Sequence, residues 1–257
     1  MDKEYIKKKV KDTFGKNAEK YVQSEIHADA AELNQLIQWL NPQSDWVVLD
    51  IATGGGHVAK SLAPYVSQVF ATDLTKMMLA NTARHLESYK NIIYVVADAE
   101  ALPFLDGTFD AVTCRIAPHH FPTPEKFIQE AGRVLKSGGY FLLIDNVSPE
   151  EKELAIFMNT VEKLRDDSHY RCLSVKEWRV LFGRSGLQDT NAKSRKKMYE
   201  FPTWVRRTTE NDQQIKSVED YILQADQPVQ DYFQVKTNNG RVQSLKVDEW
   251  MALCQKQ

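Results

Sequence analysis

Short apolar runs that end in a carboxylate recur along the N-terminal half of the chain. Val47-Val48-Leu49 runs into Asp50, Val69-Phe70-Ala71-Thr72 into Asp73, and Ile92-Ile93-Tyr94-Val95-Val96-Ala97 into Asp98. Runs of this length read as buried strands, and the stretches between them carry a helical period. The pattern predicts helices up to about Leu40, then strand 46–51, helix 56–64, strand 67–72, helix 75–87 and strand 92–96. It continues with strand 109–114, helix 123–135 and strand 139–145. Such alternation makes a parallel sheet with helices on both faces.

Beyond Asn146 the pattern predicts helices near 150–165 and 174–185, with Gly186 as a stop, then a strand at 187–200. Residues 201–240 read as an insertion. It holds Pro202, Trp204, a polar Thr208–Asp212 loop, a helical stretch at 213–225 and the turn signal Asn238-Asn239-Gly240. Trp250-Met251-Ala252-Leu253-Cys254 reads as a last strand.

The glycine triplet Gly54-Gly55-Gly56 joins the first strand to a helix start. This order turns backbone N–H groups and a helix N-terminus toward a nucleotide-like ligand. Asp73 follows Asp50 by 23 residues, where a ribose-binding acid belongs. A carboxylate there accepts from both ribose hydroxyls, and it equally serves as a helix N-cap. Three strand-end acids share the carboxyl edge of the sheet, where open α/β sheets bind ligands.

Five motifs in this order resemble the class I S-adenosylmethionine-dependent methyltransferases, especially the ubiquinone and menaquinone C-methyltransferase branch (methyltransferase type 11). They are Val48–Gly56, Ala71–Asp73, Ala97–Phe104, Phe109–Arg115 and Arg133–Gly139. Ala52 stands where the family usually has its first glycine, and Ser137 where it has proline. The alanine costs little where φ is negative.

The resemblance implies a Rossmann-like α/β fold with a mostly parallel seven-stranded sheet, an antiparallel last strand and helices on both faces. It implies one domain over 1–257, with a helical lid at 1–40, a cofactor-binding core at 41–148 and a substrate cap at 201–240 between the last two strands. The implied cofactor is S-adenosyl-L-methionine. Ala52, Gly54 and Gly56 would line its methionine moiety, and Asp50 would orient the loop and the ammonium. Asp73 with Leu74 would hold the ribose, Asp98 and Ala99 would read the adenine, and backbone at Arg115 and Ile116 would complete the ammonium site. In Phe14–Tyr21 the family places an aromatic lid residue, with Tyr21 first and Phe14 second. Lys3 to Lys20 also holds seven lysines, so the segment reads equally as a charged, mobile terminus.

His119 and His120 follow the fourth strand at the mouth of this edge. Each either takes a proton from the acceptor at neutral pH or fixes the loop. His57 reads as packing or capping, His27 as lining the pocket or packing, and Cys114 as core. Gly54-x-Gly56-x-x-Ala59 also satisfies a dinucleotide fingerprint, so an NAD-dependent oxidoreductase is one alternative and a non-catalytic cofactor-binding protein another.

Composition narrows the class. The 257 residues, 42% apolar, suffice for one large core. A net charge of −2 and a pI near 6.3 argue against bulk nucleic-acid binding. The basic runs Lys193–Lys197 and Arg206-Arg207 either meet an anionic substrate or membrane surface or form a solvated face, the commoner case. Three dispersed cysteines fit reduced thiols in a cytoplasm. No metal site, secretory signal or membrane-spanning run is visible. The expected partner is a small-molecule acceptor, with a homodimer left open.

Overall fold

The structure is a computed structural model that describes residues 3–22 and 29–257, with side chains described for 3–15 and 29–257. Its sheet contains β1 (Val47–Ile51), β2 (Gln68–Asp73), β3 (Ile92–Val96), β4 (Phe109–Arg115), β5 (Leu135–Val147), β6 (Leu187–Glu200), β7 (Lys236–Asn238) and β8 (Arg241–Lys256). The order is β3-β2-β1-β4-β5-β8-β6, with β7 paired to β8. β1 to β5 run parallel, and β8 runs antiparallel to both β5 and β6. The last strand is therefore antiparallel as expected. Of the eight described strands, seven form the expected path and the eighth is the short β7, folded back by the Asn238-Asn239-Gly240 turn.

The chain steps outward from β1 through β2 to β3, then returns to place β4 on the other side of β1. This reversal leaves a crevice at the carboxyl ends of β1 and β4, the place where open α/β sheets take ligands. β1 is buried from Val48 to Ile51 because helices cover both of its faces.

On one face α5 (Pro124–Val134) and α7 (Val175–Arg184) contribute Phe127, Trp178 and Phe182 to a cluster with Phe109, Phe141 and Trp250. A capping box of Ser174 and Glu177 starts α7. On the other face α2 (Ala30–Leu40) and α3 (His57–Leu62) bury Leu36, Leu40, Val58 and Leu62 against Val48, Val69 and Leu142. α1 (Lys3–Val22) packs on α4 (Lys76–His85). A third cluster stands apart from these two. It joins α6 (Lys152–Arg165) to α8 (Phe201–Val205), α9 (Asp212–Leu223) and Phe233, which follows α10 (Gln227–Tyr232). Among the described residues no helix is long and apolar enough to cross a membrane.

Two strands outrun their predicted bounds. β5 begins at Leu135, and its pairing with β4 shifts register between Phe109 and Ala111. Gly139 permits this close approach, since a Cβ there would lie 2.9 Å from the Asp110 carbonyl oxygen. β8 extends back to Arg241 because its first residues pair with β7, and Arg241 is held by Glu219.

Candidate active site

The turn after β1 is held by its own backbone and by the next two elements. Thr53 N–H donates to the Thr72 carbonyl at 2.8 Å, and Thr82 Oγ1 on α4 donates to the Gly54 carbonyl at 2.6 Å. Ala52, Gly54 and Gly56 all have left-handed backbone, with φ of 54°, 52° and 77°. Ala52 and Gly54 line the crevice with Thr53 and Gly55, whereas Gly56 lies behind it. A Cβ on Gly56 would come within 2.5 Å of the Thr82 methyl. Gly56 is thus held to glycine by packing between loop and α4. The positive φ at Ala52 also corrects the sequence reading, because alanine is strained there.

The three strand-end acids converge. Asp50 is buried, accepting from Thr53 Oγ1 at 2.6 Å and Thr113 Oγ1 at 2.8 Å. Burial raises its pKa to about 6, and the two hydroxyls oppose the shift. Asp73 accepts from Gly54 N–H at 3.2 Å and Thr75 N–H at 2.8 Å. Each of its oxygens keeps a second lone pair for a ligand hydroxyl. Asp98 accepts from the Glu100 N–H at 2.9 Å.

These residues, with Leu74, Ala97, Ala99, Arg115 and Ile116, line one cleft that opens to solvent. Ile116 has φ 52°, costly for a β-branched residue, and its N–H donates to the Ile144 carbonyl at 2.8 Å.

A short 3-10 turn at Pro118–His120 places the two histidines differently. His120 lines the cleft; His119 lies behind it. His119 Nδ1 sits 2.7 Å from Asp145 Oδ1 and its N–H donates to Asp145 Oδ2. Burial lowers the His119 pKa, but the Asp145 carboxylate outweighs that and raises it. His120 Nδ1 lies 3.0 Å from the Ser168 carbonyl. A carbonyl only accepts, and the Ser168 hydroxyl, 3.3 Å from the same nitrogen, donates to Asp166 Oδ1, so Nδ1 carries the proton and Nε2 is the basic nitrogen of the neutral ring. Burial, then the neighbouring His119 charge, lowers the His120 pKa to about 4.

Several contributors escaped the sequence reading. The loop 166–171 bonds the His119 carbonyl through the N–H groups of Tyr170 and Arg171, at 2.9 and 3.0 Å. Its Ser168 and His169 stand beside the histidine pair, with the His169 ring 5.6 Å from that of His119. Lys7 and Val10 of α1 line the cleft; Phe14, the second lid candidate of the sequence, lines it beside them and meets His120 edge-on at 5.0 Å. The side chain of Tyr21 and all of His27 lie outside the described residues. Cys114 is core, and His57 lines the cleft from the start of α3.

The basic run on β6 is solvated only in part, with Lys193 exposed and the rest of its basic residues paired. Arg195 pairs with Glu249 at 2.6 Å and with Glu32, and Lys197, 9% exposed, pairs with Glu249. Lys196 bonds Asp248 at 3.0 Å. Glu32 also takes Arg115 Nε at 2.5 Å, tying α2 to the end of β4. Burial opposes ionisation of Glu32, but Arg115, Lys197 and Arg195 hold its pKa down at about 2.

The residues present suit an adenosine-bearing cofactor. One acid is aimed by two N–H groups at a diol, a second stands at the adjacent strand end, and Gly54 has no side chain to hold a ligand off the turn.

Residues 49–143 match the methyltransferase domain family. YcgJ of Bacillus subtilis (strain 168), named an uncharacterized methyltransferase, is 33% identical over 231 residues, covering 89% of this chain and 91% of its own. A crystal structure from Bacillus halodurans C-125, classed as a methyltransferase, superposes with a TM-score of 0.86 at 36% identity, over 88% of this chain and 99% of that one. The ubiquinone/menaquinone biosynthesis C-methyltransferase UbiE of Rickettsia typhi is 30% identical over 159 residues, 55% of this chain and 63% of its own. Crevice, strand-end acids and relatives agree, and the chain belongs to the S-adenosylmethionine-dependent methyltransferases.

Proposed function

We propose that the acceptor is a small, partly apolar molecule whose nucleophile carries an ionisable proton, and that His120 takes this proton. The observation that carries the reading is the tautomer lock of a cleft-lining histidine by the Ser168 carbonyl. Val10, Phe14, Ile116, Phe121 and Pro122 line the same cleft and supply its apolar character.

S-adenosylmethionine, when bound, supplies a methyl carbon made electrophilic by its sulfonium. Asp73 would hold the ribose, Asp98 and Ala99 the adenine, and Asp50 with the Arg115–Ile116 backbone the ammonium. Orienting acceptor and methyl group in line supplies much of the rate without a dedicated residue. His120 then adds removal of the proton, and His119, held by Asp145, sets its basicity. Membership of this family sets aside the nicotinamide alternative.

No residue of 201–240 lines the cleft. We assign that segment to acceptor selection at one remove. The Arg165 guanidinium lies 4.5 Å from the Trp204 ring centroid and donates to Thr208 Oγ1 at 2.9 Å, so α8 and its following turn hold the start of the loop that carries Ser168. The three cysteines are buried and unbridged, which suits a cytoplasmic enzyme.

His120→Gln tests the reading. It should bind S-adenosylhomocysteine as the parent does, transfer methyl groups more slowly, and lose the acid limb of the kcat profile. Wild-type turnover by a folded variant, on acceptors found by screening, would reject the base assignment.

A further inference from the structure

α1 presents Lys7, Val10 and Phe14 at positions i, i+3 and i+7, one face of the helix, and all three line the cleft. Phe14 touches His120 at one end of the cleft. At the other end the Lys7 ammonium lies 2.6 Å from Asp98 Oδ2 and 2.8 Å from Glu100 Oε2. The Glu100 side chain is 5% exposed and the Lys7 side chain 16%. Glu100 Oε1 accepts from Thr123 N–H, and Asp98 Oδ1 from Glu100 N–H, so both carboxylates are fixed before Lys7 arrives. Two carboxylates brought this close repel unless a cation stands between them. Burial disfavours the ammonium, but the two acids outweigh it and keep Lys7 protonated. An ionised carboxylate has about four acceptor positions, so Asp98 serves Lys7 and a ligand amine together.

We propose that Lys7 is a positioning residue of the cofactor site: its ammonium holds the Asp98 carboxylate aimed, and the same bond fastens α1 across the cleft. Adenine recognition and helix closure are then one event, and closure sets Phe14 against His120. The inference rests on the reading of Asp98 as the adenine acid.

The test measures S-adenosylhomocysteine dissociation by stopped flow and hydrogen exchange of the α1 amides in the free protein, for the wild type, Lys7→Met, Lys7→Arg and Asp98→Asn. Near-UV circular dichroism checks that the core is intact. In Lys7→Met, koff should rise about tenfold, the scale of one charge-assisted hydrogen bond, and α1 should lose protection. Lys7→Arg should restore both. A Lys7→Met variant with wild-type koff, or with wild-type α1 exchange, overturns the proposal. An Asp98→Asn variant with unchanged affinity overturns instead the adenine assignment beneath it.

Discussion

His119 and Asp145 meet twice, through the His119 N–H at 2.9 Å and through its ring Nδ1 at 2.7 Å. Asp145 lies near the end of β5 and is a fourth acid at the carboxyl edge of the sheet. It raises the His120 pKa weakly by itself and acts on it more strongly, in the opposite sense, through His119. Asp145 favours the charged form of His119, and that charge is the largest influence after burial lowering the His120 pKa. Asp145→Asn should therefore leave His119 neutral over more of the pH range and let His120 protonate more readily. The acid limb of the kcat profile should move to higher pH, and a limb that stays in place would break the link. Replacing His120 itself by Gln should cost about 10²- to 10⁴-fold in kcat, the scale of general base catalysis.

The same histidine shapes stability. Its pKa is about 4 in the folded protein and near the ordinary 6.5 unfolded, so below pH 6.5 the unfolded chain binds the extra proton. Stability falls as pH drops from about 6.5 to 4, by roughly 2–3 kcal/mol from this group. Asp50, with its pKa raised to about 6, works in the opposite direction between about 4 and 6, because there the folded state holds the proton. The difference between wild type and His120→Gln in urea unfolding isolates the first effect. That difference should grow steadily over the window and vanish above pH 7.

Asp73→Ala should weaken S-adenosylmethionine by roughly 1.5–3 kcal/mol, since a charged acceptor for the diol is lost. The substitution also frees the Gly54 and Thr75 N–H groups. Calorimetry on a variant with native circular dichroism separates the two effects, and unchanged affinity would remove the ribose role.

Ala52→Gly should stabilise the protein by about 0.5–1 kcal/mol. An L-residue with φ near +54° is strained by about 1–2 kcal/mol, and the greater freedom of glycine when unfolded offsets part of the relief. A lower urea midpoint for the variant would show that the alanine side chain contributes packing that the backbone argument omits.

Glu32→Ala should destabilise by about 3 kcal/mol, the low end for breaking a buried ion pair. Arg115 would lose a buried counter-charge, whereas Arg195, with 37% of its side chain exposed, can rehydrate and still hold Glu249. A midpoint shift near zero would mean that the cluster rearranges around Arg195.

The sheet was legible because its signals are local. Val47–Asp50 and Ile92–Asp98 announce strand, end and acid within a few residues, and β3 and β6 fall on their predicted bounds. What the sequence concealed depends on residues far apart in the chain. Lys7 and Asp98 are separated by 91 positions, and nothing in a lysine-rich terminus marks the lysine that reaches into the cleft. Lys197 looked solvated because its partner Glu249 lies 52 positions away across β8. Ser168 acts through its carbonyl, a group every residue has, so no side-chain motif could reveal it. A glycine required by packing, as Gly56 is against Thr82, looks the same in sequence as one required by a ligand.

The third apolar cluster, from Phe157 to Val247, shares no member with the two that flank the sheet. Side-chain changes inside α8, α9 or α10 can therefore be accommodated locally, provided Trp204 and Thr208 keep their hold on Arg165. Such a segment can drift, or be exchanged between homologous enzymes, while the nucleoside-facing edge stays constant. Under the proposed role of residues 201–240, new acceptor preferences would arise at the far end of the chain from the chemistry they redirect.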